Sequence, residues 1–129
     1  MSPNATERKL TEVREQLEKR EPIFHRAEFG TTRRDFENMT DTGFWEVGAS
    51  GRRYSREYVI DLLVERHSAP VDDVWETSDF HCVALGPDTY LLTYTLVQNR
   101  TRVTRRATIW RHSREGWKSL YHQGTMVEP

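Results

Sequence analysis

Thr89-Tyr90-Leu91-Leu92-Thr93-Tyr94-Thr95-Leu96-Val97-Gln98 is the stretch on which the fold turns. Tyr90, Leu92, Tyr94 and Leu96 fall at every second position. A period of two predicts a strand with one strongly apolar face. Gly86-Pro87-Asp88 precedes it and Asn99-Arg100-Thr101 follows, and both carry turn chemistry. Outward from these turns, Val74 to Leu85 and Val103 to His112 read as the neighbouring strands. After the tight connection Ser113-Arg114-Glu115-Gly116, Trp117 to Thr125 reads as the last strand. Four strands joined by short turns make an antiparallel meander.

The first half has a different period. Leu10, Val13, Leu17, Phe24 and Ala27 recur at helical steps, with Arg20 interrupting. Pro22 is expected to start a new turn or kink this helix, and Gly30 to stop it. Thr32 followed by Asp35 predicts a cap for a short helix through Phe36 and Met39. Asp41-Thr42-Gly43 reads as a turn, and Phe44-Trp45-Glu46-Val47 as a short strand. Ser55 caps a third helix that buries Val59, Leu62 and Leu63 and ends near His67-Ser68-Ala69-Pro70. Helices followed by a meander indicate an α+β domain, with the helices on one face of a curved antiparallel sheet.

At 129 residues the chain is expected to be one domain, with its core between about residues 6 and 127. Four Trp, five Tyr and five Phe argue for a folded, aromatic-rich core. A net charge of −1 gives no overall pull toward nucleic acid or an anionic membrane. No run approaches the ~20 apolar residues needed to span a bilayer. Met1 to Leu17 is charged and lacks the apolar run of a secretory signal, so a cytoplasmic location is expected. Cys82 is the only cysteine, which excludes an internal disulfide and a thiolate metal cage.

Two groups of residues carry a family resemblance. One is Phe44-Trp45-Glu46-Val47-Gly48-Ala49-Ser50-Gly51 with Tyr54; the other is Trp110, Gly116-Trp117 and Tyr121-His122-Gln123-Gly124-Thr125. In their order the chain resembles the nuclear transport factor 2-like superfamily, also called SnoaL-like or cystatin-like, from about Thr6 to Val127. Within it, the chain is most similar to a bacterial branch described as a domain of unknown function. The resemblance implies a cone: a bent sheet wrapped around the first helix, with a pocket at the open end. That superfamily holds isomerases, dehydratases, cyclases, binding domains and assembly domains, so fold does not settle function.

Strand alternation sorts the candidates. Arg106, Thr108 and Trp110 share one face of their strand, and hairpin pairing joins them to Leu120, His122 and Gly124. The resemblance implies that these positions line the cavity. Trp45, Tyr94 and Trp110 are expected as aromatic wall, Tyr54 at the mouth, and Arg106, Thr108 and His122 as polar points. His122 is either an acid–base or hydrogen-bonding group or an imidazole that only satisfies a neighbour. Arg106 is either an anion anchor or half of an ion pair. Glu46 is either a general base with a raised pKa or a surface brace; alternation allows only one of Trp45 and Glu46 to enter the cavity. The opposite face carries Ala107, Ile109, Arg111, Trp117, Ser119 and Tyr121, and is a candidate homodimer surface.

Other chemistry finds no support in the sequence. Ser50 lacks the nucleophile-elbow spacing, and there is no phosphate loop, dinucleotide fingerprint or zinc motif. No metal or cofactor is expected. Arg100 to Arg114 holds six arginines and no acid, while Asp72 to Asp88 holds five acids and no Lys or Arg. Nucleic-acid binding is not expected, because Trp110 is the only stacking ring in the basic hairpin. The two patches are expected instead to meet across a dimer. The leading expectation is a dimeric pocket domain for a small, partly apolar organic molecule, one carrying a carboxylate. The alternatives are an isomerase, dehydratase or cyclase with His122 or Glu46 as base, and an assembly module with a filled pocket.

Overall fold

The structure is a computed structural model and describes residues 5–67 and 74–128. Helix α1 (Ala5–Glu18) leads through a short 3-10 turn (Ala27–Phe29) to α2 (Arg33–Asn38), then β1 (Thr40–Val47) and β2 (Arg53–Ser55). Helix α3 (Arg56–His67) precedes β3 (Trp75–Gly86), β4 (Thr89–Gln98), β5 (Arg102–Ser113) and β6 (Gly116–Met126). The strands form one six-stranded sheet in the order β2-β1-β6-β5-β4-β3.

The meander is as the alternation predicts: β3 to β6 pair antiparallel in sequence order. Tyr90, Leu92, Tyr94 and Leu96 are all buried on its inner face. The sheet as a whole is mixed rather than antiparallel, because β1 pairs with β6 in parallel. No turn joins β1 to β6; β1 reaches the sheet from the helices, so no hairpin dictates its direction.

Four local expectations change. Helix α1 stops at Glu18 and does not run on to Phe24. Residues 21 to 24 instead form a buried, irregular segment with a cis Glu21–Pro22 peptide. Asp41-Thr42-Gly43 lies inside β1, where the register against β6 slips between Thr40 and Trp45. The Asp41 side chain accepts the Gly43 N–H at 3.1 Å there, so turn chemistry serves a bulge. In α3 the buried residues are Val59, Ile60 and Leu63, and Leu62 stays 42% exposed. The end of the third helix beyond His67, with Asp72 and Asp73, lies outside the described residues.

The fourth change concerns the sheet faces. Ile109 pairs with Tyr121 but Trp110 pairs with Ser119, so Leu120 is an extra residue in β6. A bulge of one residue reverses the alternation beyond it. Trp117 and Ser119 therefore turn inward and are buried, not outward as expected. Ala107, Ile109, Arg111 and Tyr121 remain on the outer face by alternation.

The caps follow the sequence. Thr32 and Asp35 form a reciprocal capping box on α2. Ser55 Oγ accepts the Tyr58 N–H at 3.2 Å at the start of α3. The core lies between the helices and the inner sheet face. There Phe24 meets Phe36 and Phe44 edge-on, with ring centres 6.1 and 5.9 Å away.

Candidate functional site

A cavity of about 540 Å³ opens at one end of the inner sheet face. Glu46, Arg106, His122 and Gly124 line it from the sheet; Ile23, Phe24, Val59 and Leu63 line it from the helical side. Tyr54, Arg66 and Arg102 also border it. The volume falls in the usual range for small-molecule sites, roughly 300 to 1,000 Å³.

Parallel pairing puts Glu46 directly opposite His122. The His122 Nδ1 lies 2.9 Å from Glu46 Oε2. An ionised carboxylate can only accept, so Nδ1 carries a proton in this contact. The residue His122 is 3% exposed. Its Nε2 is buried and has no hydrogen-bond partner among the described residues.

Between Trp45 and Glu46, it is Glu46 that faces the cavity. Trp45 sits on the outer face, 41% exposed. Its ring is 4.5 Å from that of Tyr121, and the Arg53 guanidinium lies 5.6 Å from its centre. The expectation that Trp45 walls the pocket is therefore corrected. Tyr54, two strands over from His122, pairs with Glu46 across β1 and β2 and lines the cavity. Gly48 makes this possible: a Cβ there would come within 2.9 Å of the Tyr54 ring.

Arg106 supplies the positive end. Its Nε donates to Thr104 Oγ1 at 3.0 Å and its Nη2 to Gln98 Oε1 at 3.4 Å. Arg102 donates to the same Gln98 oxygen at 3.3 Å. Among the described residues neither arginine forms an ion pair with a carboxylate. Burial lowers the Arg106 guanidinium below its ordinary pKa, the direction expected of a charge taken from water. The side chain lies across Gly124, where a Cβ would meet its Nε at 3.4 Å and its Cζ at 3.6 Å.

Tyr94, Thr108 and Trp110 were expected in the wall, but all three lie in the core and do not line this cavity. Tyr94 and Trp110 serve a residue that sequence reasoning missed. Glu21 is fully buried. It accepts from Tyr94 Oη at 2.8 Å, Trp110 Nε1 at 3.0 Å and the Ile23 N–H at 2.7 Å. Burial first, then the Glu21 charge, pushes the Tyr94 phenol well above its usual pKa. The available signal was a Glu beside Pro22-Ile23-Phe24, with two inward rings that each carry a donor needing an acceptor. Thr108 pairs directly with His122 and is fully buried, its hydroxyl without a partner among the described residues.

The charged patches also resolve. Arg105 reaches Asp79 across β4 at 3.8 Å, and Arg111 holds Asp41 at 2.5 Å. Arg105 and Arg111 thus find acidic partners within the chain. Among the described residues no three His, Cys, Asp or Glu side chains converge as a metal site. None of their helices is long and apolar enough to cross a membrane.

Solved structures share this fold. A candidate dehydratase of the nuclear transport factor 2-like family from Streptomyces avermitilis aligns with a TM-score of 0.70 at 15% identity, over 97% of this chain and 100% of its own. A protein with a cystatin-like fold from Caulobacter vibrioides aligns at 0.67 and 13% identity, over 95% and 90%. A nuclear transport factor 2-like protein from Cytophaga hutchinsonii aligns at 0.64 and 14% identity, over 97% and 100%. No protein-family model matches the chain, and no curated protein matches it in sequence. The chain thus has the nuclear transport factor 2-like, or cystatin-like, fold, in agreement with the resemblance read from its motifs.

Proposed function

We propose that the chain is a small-molecule-binding domain whose ligand is partly apolar and carries a carboxylate. The observation that carries this reading is Arg106, which lines an open cavity and, among the described residues, forms no ion pair with a carboxylate. Charge removed from water is costly, and an incoming anion with bidentate geometry offsets that cost. The apolar wall across from Arg106 takes the rest of the molecule. The open volume speaks against an assembly module with a filled pocket. A melting screen against aromatic and aliphatic carboxylates tests the proposal. A true ligand at ~100 times its Kd raises the melting temperature by on the order of 10 °C. A flat screen contradicts the reading.

A second reading rests on the Glu46–His122 pair. Glu46 holds the orientation of the His122 ring, as a general base requires, and the buried Nε2 has no partner among the described residues, so a ligand that opens a path to it would find it unengaged. The C–H proton of a ligand would pass to Nε2, its electron pair would stay on the ligand, and Glu46 would stabilise the imidazolium. The dehydratase description of the Streptomyces neighbour is compatible with such chemistry. Deuterium uptake at the ligand carbon in heavy water, present in wild type and absent in His122→Asn, would establish it. Equal uptake in both removes His122 as the base.

The outer sheet face is proposed to seat a second copy of the chain. With Arg105 and Arg111 paired internally, its centre is the exposed Trp45 beside Tyr121 and Ile109. Such an aromatic centre, with the Arg53 guanidinium over its edge, can match itself across a two-fold axis. Trp45→Glu is expected to halve the mass seen by light scattering; a wild-type monomer, or an unchanged dimer, refutes this.

A further inference from the structure

We infer that the cavity takes a ligand with two carboxylates close together at one end, the second of them seated on Arg102. This rests on the small-molecule reading above and names the class of molecule. Among the described residues the cavity lining carries three arginines, Arg66, Arg102 and Arg106, and a single carboxylate, Glu46. That carboxylate already engages His122 Nδ1. None of the three arginines forms an ion pair among the described residues. With the histidines counted as neutral, three guanidiniums against one carboxylate leave two positive charges over. A ligand with one negative charge balances half of that surplus, and a dianion balances all of it.

Two of these charges are brought together. Arg102 and Arg106 are four residues apart on β5, which separates their backbones by roughly 13 Å. Alternation puts both on the inner face, with the buried Thr104 between them in sequence. Yet Arg102 Nη1 and Arg106 Nη2 donate to the same oxygen, Gln98 Oε1, at 3.3 and 3.4 Å. The two nitrogens are therefore no farther apart than those two bonds laid end to end. Gln98 stands opposite Arg102 at the base of the hairpin and also lines the cavity. Like charges gathered on one neutral oxygen repel each other. After burial, the Arg102 charge is the next cause that lowers the Arg106 guanidinium below its ordinary pKa.

What the pair leaves unspent sets the chemistry. A guanidinium has five N–H donors. Among the described residues Arg102 spends one nitrogen and Arg106 two, all on neutral oxygens. A carboxylate is a stronger acceptor for a guanidinium than an amide or a hydroxyl, and it can engage two N–H groups at once. Arg106 is half-buried and takes the inner carboxylate; Arg102 is exposed beside the hairpin turn and takes the outer one. Because one oxygen already gathers both guanidiniums, the two carboxylates need only a short chain between them. Arg66 lines the cavity from α3 and adds its positive field.

Three probes test this by isothermal titration: 2-benzylsuccinate, its monoamide with the second carboxylate replaced by an uncharged amide, and 3-phenylpropanoate, which lacks that arm. Wild type is expected to bind the dicarboxylate about tenfold more tightly than either monoanion. Arg102→Gln should bring the dicarboxylate down to the affinity of its monoamide. Arg100 carries the same charge on the turn of the same hairpin but does not line the cavity. Arg100→Gln should therefore keep the preference. Equal binding of all three probes overturns the inference while leaving the pocket in place. So does a preference that survives Arg102→Gln, or one that both variants lose alike. No binding by any of the three overturns the inference as well. In that case a hit among unrelated carboxylates in the melting screen preserves the pocket reading, and a flat screen ends both.

Discussion

Glu21 and Glu46 are both carboxylates on the inner side of one sheet, and they are finished differently. Glu21 has no exposure and accepts from three donors. Glu46 keeps a 21% exposed side chain and accepts from one ring whose far nitrogen has no partner among the described residues. A buried polar group that is fully satisfied stabilises one arrangement of the core. A polar group left incomplete beside open volume is available to a ligand. The difference separates a structural cluster from a candidate site without reference to any relative.

The largest expected effect breaks the first half of that comparison. Glu21→Ala strands two buried side-chain donors and one backbone donor, at ~1–3 kcal/mol each. Urea unfolding should therefore show a loss of about 4 kcal/mol. A loss below ~1 kcal/mol would mean that the cluster contributes little.

A smaller effect comes from Tyr94, and it depends on pH. The folded protein holds the phenol proton more tightly than the unfolded chain does. This stabilisation is complete below the unfolded value of about pH 10 and drains away as pH rises beyond it. Tyr94→Phe should cost ~1 kcal/mol near neutrality and then lose less stability than wild type in alkali. Parallel alkaline curves would contradict the Tyr94–Glu21 bond.

The smallest effect sharpens the second half. Arg106→Leu removes a partly buried cation that lacks a carboxylate partner, so stability should change by no more than ~1 kcal/mol, in either direction. Carboxylate binding should vanish in the same variant. A loss of several kcal/mol would move Arg106 from the site to the scaffold.

Much of the fold was legible because the meander is local. Alternation in β4 and turn chemistry at either end fix two pairings, and the Ser113–Gly116 connection fixes the third. Arg106 and His122 were legible for the same reason, since hairpin parity brings them to one face. The Glu46–His122 contact was not, because it depends on β1 lying parallel to β6 with 76 residues between the two side chains. Leu120 was also silent in the sequence; a bulge has no required residue there, yet it decides where Trp117 and Ser119 point. Tyr94 and Trp110 were placed on the correct face but given the wrong task. Their donor atoms find Glu21, which lies 73 residues from Tyr94 and 89 from Trp110.

The most direct test is the guanidinium NMR signal of Arg106, recorded as 3-phenylpropanoate is added. The account predicts a saturable shift of that signal in wild type and no binding by Arg106→Leu. An Arg106 signal unmoved at saturating carboxylate, or equal binding by the variant, would contradict the account.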